Sequence, residues 1–224
     1  LMETIRTKST WIQFIALLFA AFVAIEAMVF QAPAIPAIAQ HFKVPAHLAG
    51  LIIISFYLMS AALYPISGRL ADRYGRKRIL LIGLAIFAIS EFAAALSPSF
   101  SFLLVCRALQ GVAVSAVFPV VISYIGVLFP PEQRGKASGI FNAAQGIAST
   151  TGAVIAGFLI KIYGWPIIYW VSGWLAVIGF VVTIFFVKET KGDASRSMNP
   201  VGVILIFIMT GCFISVSTLV GNFG

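Results

Sequence analysis

The sequence predicts an all-α, multi-pass transmembrane helical bundle, and three observations carry that prediction. Of 224 residues, 61% are hydrophobic and only 10% are charged, where a soluble domain has about 45–50% and about 25%. Seven apolar stretches, near 11–31, 48–67, 79–97, 100–124, 138–160, 166–187 and 200–222, each approach the roughly 20 residues that a helix needs to cross a bilayer. The breaks between them carry turn chemistry, as in "QAPAIPAIAQHFKVPAH", the basic run "GRLADRYGRKRIL", "SPSF", "FPPEQRGK", "KIYGWP" and "KETKGDASRSMNP".

The first stretch, from Trp11 to Phe30, follows Arg6 and Lys8. It exceeds the core of about 7–15 residues of a signal peptide, shows no cleavage site and is followed by further spans, so it reads as a retained helix. Lys and Arg then set the orientation. The N-terminal tail (Arg6, Lys8) and the second, fourth and sixth breaks (Arg69, Arg73, Arg76, Lys77, Arg78; Arg134, Lys136; Lys188, Lys191, Arg196) hold twelve cations. The alternate breaks hold Lys43 and Lys161. Twelve against two predicts a cytoplasmic N-terminus in the cell membrane, with the basic run on the same side. The seventh stretch starts inside and runs outward. The chain is therefore expected to belong to a longer membrane protein: a six-helix unit over 1–190, a cytoplasmic linker over 191–199 and a following region from 200 to 224 that opens with a seventh helix.

The formal charge of +8 suits an acidic partner only if a water-exposed basic face exists, and short loops leave none, which argues against nucleic acid. Cys106 and Cys212 lie inside apolar runs, and His41 and His47 flank Pro45 in one short break. Neither pair gives a metal or disulfide pattern. No phosphate loop and no nucleophile with its base stand out, so neither an enzyme nor a cofactor is expected.

Three charges fall inside spans: Glu26, Glu91 and Arg107. Each costs at least about 2.5–3.5 kcal/mol at mid-membrane, so such groups usually face a bundle interior and have a role. At about 1.5 Å per residue, Glu26 lies ~22 Å along the first helix, Glu91 ~18 Å along the third, and Arg107 about 10 Å below the outer end of the fourth. All three share the outer half of the membrane, where they could meet. An ion pair that only neutralises Arg107 is one reading. The other is proton and substrate coupling, in which a carboxylate exchanges protons and a nearby guanidinium tunes the exchange. Glu91, six residues before Ser97, fits either.

"GRLADRYGRKRIL" resembles the signature between the second and third helices of the major facilitator superfamily. "RALQGVAVSAVFP" resembles the fourth-helix motif, with Arg107, Gln110 and Gly111 in matching places. "FPPEQRGKASGI" resembles the next cytoplasmic loop, and "AGFLIKIYGW" the end of helix five. The resemblance runs along the whole chain. It implies two six-helix halves around a central cavity, each of inverted three-helix repeats, with this chain holding the first half and lacking the C-terminal one. It also implies a gate in the basic run: Gly68 lets helix ends approach, Asp72 bonds across to the other half, and Gly75, Arg73, Arg76 and Lys77 complete the motif. A glycine without Cβ permits such an approach, and an acid at a helix start can cap it.

Drug efflux members usually carry Gly-Pro-x-x-Gly-Gly in helix five, and here the aligned residues run from Gly152 through Ala153 to Ala156 and Gly157. Gly146, Gly152 and Gly157 are expected to pack helix five closely against neighbours. Glu26 before "AMVFQAPAIPAI" and Tyr57 in "SFYLMSAALYPISGRLADR" resemble the drug:proton antiporters, and the short sixth break with "MNPVG" resembles their fourteen-helix members. The resemblance implies proton-driven export of amphipathic compounds. A proton-linked symporter of a metabolite or organic anion, suggested by "GWPIIYWVSGW", and a non-transporting membrane scaffold stay open beside it. A small molecule, protons and the lipid bilayer are the expected partners.

Overall fold

A backbone in lipid has no water to bond with, so its N–H and C=O groups must pair within the chain, and helices do this segment by segment. The computed structural model describes residues 2–190. Among them are nine helical elements: α1 (Met2–Val29), α2 (Gln31–Phe42), α3 (Ala46–Ala49), α4 (Leu51–Tyr74), α5 (Arg76–Ala95), α6 (Phe100–Ser115), α7 (Phe118–Leu128), α8 (Pro131–Tyr163) and α9 (Pro166–Phe186). They make six spans of membrane length and composition: Ser9–Val29, His47–Tyr74, Arg76–Ala95, Phe100–Leu128, Pro131–Tyr163 and Pro166–Phe186. The first six expected stretches are thus spans. The linker over 191–199 and the seventh helix expected from 200 onward lie outside the described residues.

Three boundaries differ from expectation, each for a local reason. The break after the first span is itself helical. Phe30 keeps helical dihedrals (φ −64°, ψ −19°) and its N–H donates to the Glu26 carbonyl at 2.8 Å, so α1 hands over to α2 without a loop. Pro33 falls in the first turn of α2, where a missing N–H costs little. His41, expected in a loop, sits in the last turn of α2 and meets Trp165 edge-on at 5.4 Å. The fourth span is broken at Ala116 and Val117, whose N–H groups reach back three residues, to Ala113 and Val114, at 3.1 and 2.9 Å. Pro119, in the first turn of α7, has no N–H to continue the ladder. The fifth span starts at Pro131 rather than near 138, because proline is pre-set for the first helical position. There Arg134 donates to the carbonyls of Phe129 (3.1 Å) and Gly126 (2.7 Å), the open end of α7.

α5 lies between α6 and α9, α6 also packs along α4, and α1 lies between α8 and α9. One apolar cluster, built on Phe14, Leu17, Leu84, Phe87 and Tyr124, fills one end of the interior, and a second, built on Ile38, Ile52, Leu103 and Ile168, fills the other. Trp11, Phe14 and Phe129 meet edge to face at 5.1–5.8 Å and seat α1 against the end of α7. At Gly83 on α5, an added Cβ would sit 3.0 Å from the Ala113 carbonyl oxygen and 2.9 Å from the Ala116 Cβ. The break in the fourth span thus fits against bare backbone. α8 is the least covered span, with 17% of its apolar window buried, and the hydroxyls of Ser149, Thr150 and Thr151 turn back onto carbonyls one turn earlier at 2.7–2.9 Å.

Gly83→Ala is expected to destabilise the protein by about 1–3 kcal/mol through overpacking. Gly126→Ala, where an added Cβ meets nothing within 4 Å, should be neutral or stabilising by up to about 1 kcal/mol. Thermal unfolding in detergent, followed by tryptophan fluorescence, checks both.

Candidate functional site

A buried polar network crosses the middle of the bundle. Arg107 and Gln110 stand three residues apart on α6 and so share a face. Arg107 is 1% exposed. Its Nε donates to the Ile52 carbonyl on α4 at 3.3 Å, its Nη1 donates to Gln110 Oε1, and its Cζ lies 4.3 Å from the centre of the Phe56 ring. Gln110 Nε2 in turn donates to the Ser90 carbonyl on α5 at 3.3 Å. Hydrogen bonds and an aromatic face are what a desolvated guanidinium needs. Gly111 makes the arrangement possible: a Cβ there would collide with the Phe56 carbonyl oxygen and stand 3.1 Å from the Met59 Cβ. With hydrogen in its place, α6 lies on the α4 backbone, and Ile52 and Phe56 come within reach of Arg107.

Glu91 on α5 is also 1% exposed, and its Oε1 has no hydrogen-bond partner. Glu91 directly follows Ser90, whose carbonyl is joined to Arg107 through Gln110. Glu91 and Arg107 nonetheless form no ion pair among the described residues. Tyr169 of α9 completes this neighbourhood: its hydroxyl donates to Gln31 Oε1 of α2 at 2.8 Å, and both side chains are buried. Glu26 on α1 is 5% exposed with Oε2 unpartnered. It makes no ion pair with Arg107 either, so of the three expected charges only Glu91 and Arg107 share surroundings. Gln31, Tyr169, Ser90 and Phe56 were not among the residues singled out from the sequence. Their only signal was a polar or aromatic side chain inside an apolar run.

A second cluster sits at one end of the bundle, in the turn between α4 and α5. Arg76 Nη2 donates to Asp72 Oδ1 at 2.8 Å, and Arg76 Nε donates to Ser123 Oγ of α7. Gly75 has φ +105°, where a side chain would be strained. The cap of α5 is not Asp72, which lies in the last turn of α4. It is Glu189, whose Oε1 and Oε2 accept the N–H groups of Lys77 (3.0 Å) and Arg78 (3.1 Å). Nothing in sequence spacing links position 189, in the break "KETKGDASRSMNP", to position 77. Lys77 Nζ donates to the Ile184 carbonyl at the end of α9 at 2.7 Å, placing a cation at a helix C-terminus. The Arg73 guanidinium lies 5.3 Å from the centre of the Tyr74 ring. Gly68 has no unusually close neighbour, since an added Cβ would be 3.7 Å from that of Pro119. Of the helix-five glycines, Gly152 faces Phe30 at 3.4 Å, whereas Gly146 and Gly157 meet nothing within 4 Å. Their expected packing is absent among the described residues because the face of α8 they occupy is uncovered there.

The model of the Major Facilitator Superfamily matches residues 17–223. The chain belongs to the Major Facilitator Superfamily. Within that superfamily it is 29% identical, over 76% of its own length, to Multidrug resistance protein 3 of Bacillus subtilis, of which it covers 33%. It is 28% identical over 84% of its length to the riboflavin transporter RibZ of Clostridioides difficile, covering 41%. It thus spans about a third to two fifths of these curated relatives. Its fold matches the crystal structures of the peptide transporter POT in complex with sulfate (TM-score 0.72, 19% identity, 93% of this chain and 45% of that one) and of the human organic anion transporter MFSD10 (0.70, 18%, 88% and 53%). The superfamily fold is therefore established for the six described spans.

Gln110→Ala strands an Arg107 donor, so it should cost about 1–3 kcal/mol. Tyr169→Phe, which removes one hydrogen bond to Gln31, should cost about 1 kcal/mol. Thermal unfolding of both variants in detergent measures the difference.

Proposed function

We propose that this chain is the N-terminal half of a proton-coupled exporter of amphipathic, drug-like compounds that works by alternating access, seated in the cell membrane with its N-terminus in the cytoplasm. The observation that carries the reading is Glu26, a carboxylate buried within a span with Oε2 unpartnered. A membrane protein keeps such a group at a cost and usually for a function. Glu26 takes up a proton or a cationic substrate in turn, Arg107 and its neighbour Glu91 tune that exchange, and the missing half closes the cavity. The turn from Gly68 to Lys77 is the gate at the cytoplasmic end, with Asp72 and Arg76 already paired and Arg73 and Lys77 around them. The name of the Bacillus subtilis relative, a multidrug resistance protein, supports the substrate class.

A second reading, proton-linked uptake of an organic anion, is favoured by one observation. Arg107 is buried without an ion-pair partner among the described residues, and a guanidinium so placed can hold a carboxylate.

The intact protein in proteoliposomes, with ethidium as test compound, is expected to release protons when ethidium is added, and Glu26→Gln is expected to lose most of that release. An unchanged response in Glu26→Gln removes Glu26 from the mechanism. Accumulation of an organic anion down an imposed proton gradient, with no ethidium response, selects the second reading.

A further inference from the structure

Beyond α9 the chain does not leave the bundle directly. Val187 is extended (φ −95°, ψ 128°), and the next residues cross the end of the bundle as a short strap. The Lys188 N–H donates to Gln13 Oε1 of α1 at 3.0 Å, and the Lys188 carbonyl accepts the Tyr124 hydroxyl of α7 at 3.0 Å. One residue on, the Glu189 carboxylate caps α5 at Lys77 and Arg78, and its Oε1 also accepts the Thr190 N–H at 3.0 Å. Thr190 Oγ1 accepts from Arg76 Nη1 at 3.5 Å. Both ends of the strap are prepared for it. Gln13 is buried and oriented by its own Nε2, which donates to the Ser9 carbonyl at 3.2 Å. At Gly75 an added Cβ would lie 2.8 Å from Glu189 Oε1, so the turn glycine leaves room for the carboxylate as well as taking its positive φ.

We propose that residues 187–190 are a coupling strap: Glu189 positions the turn from Gly68 to Lys77, and through Lys188 it ties that turn to α1, the helix that carries Glu26. The proposal rests on the reading of the turn as a gate. Adjacent residues stand about 3.8 Å apart, so the anchor to α1 and the anchor to α5 are separated by a single residue step with little slack. A shift of α1 against α5 must then either break the Gln13 or the Glu189 contact or drag the α5 start with it. Because Arg76 is the first residue of α5 and grips Asp72, a movement of the α5 start is a movement of the gate pair. Glu189 serving only as a local cap would account for its two hydrogen bonds to α5. It would not account for the buried Gln13 and the Tyr124 hydroxyl that fix the preceding residue.

Amide hydrogen exchange on the intact protein in lipid nanodiscs tests this, read at residues 76–79. Losing the cap through Glu189→Ala should speed exchange there about tenfold, and Glu189→Gln, which keeps one carbonyl acceptor, should restore part of the protection. The deciding variant is Gln13→Ala, on a helix that does not touch these amides: it should speed them about threefold, and add nothing in the Glu189→Ala background. Wild-type rates at 76–79 in Gln13→Ala, or a full Gln13→Ala effect that persists without Glu189, overturns the strap. Ethidium efflux with Asp72→Asn addresses the gate separately. Efflux retained by Asp72→Asn removes the gate and leaves α1 coupled to α5. Efflux lost, with Gln13 and Glu189 acting independently on exchange, keeps the gate and overturns the strap.

Discussion

Arg107 places a permanent positive charge in the dry interior of an apolar bundle, and the way three helices meet follows from satisfying it. Arg107 is 1% exposed, so its donors turn to protein groups. The Ile52 carbonyl and the Phe56 ring come from α4, the Gln110 amide from α6 itself, and Gln110 passes the network on to the Ser90 carbonyl of α5. None of this works at an ordinary helix separation of 8–10 Å unless the contact residue is small. Gly111 supplies that closeness on α6, as Gly83 does on α5. The two glycines and the arginine form one device: bare backbone sets the spacing, and the charge fixes the register.

Around that centre, polar groups occur where the helices must be located relative to each other rather than where they are merely held together. Apolar packing is non-directional and would allow helices to slide. The Tyr169–Gln31 bond fixes α9 against α2, the Ser67–Ser115 hydroxyl pair at 2.7 Å fixes α4 against α6, and Glu189 fixes the start of α5. Glu26 differs from these. It is buried without contributing its Oε2 to any bond, so packing alone gives no reason for its presence.

The spans were legible because membrane length and apolar composition are properties of a segment by itself, and so was Arg107 as a charge inside one; Gln110 and Gly111 came from the resemblance of "RALQG" to the fourth-helix motif. Asp72 and Gly75 could be placed at a turn for the same reason. What could not be read depends on partners far along the chain. Asp72 looked like the cap of the following helix, yet the cap comes from Glu189, more than a hundred residues later. α2 was hidden by two prolines, of which Pro33 falls in the first turn and Pro36 inside a helix that nonetheless continues to Phe42. Gly146 and Gly157 looked like packing residues because small residues at helical spacing usually are, but whether a face is covered is decided by another helix, not by its own sequence.

The uncovered face of α8 has one more property. Its hydroxyl residues, Ser149, Thr150 and Thr151, each spend their donor on a carbonyl of their own helix, and Gly139, Gly146 and Gly157 add no side chain at all. Between them stand the exposed apolar side chains of Ile147, Val154 and Phe158, so this face offers a neighbour apolar contact and few bonds. A helix seated against such a face would be held by apolar and van der Waals contact, which is non-directional. The same molecule thus pairs a tightly bonded centre, where polar groups fix position, with an apolar flank that sets no register of its own.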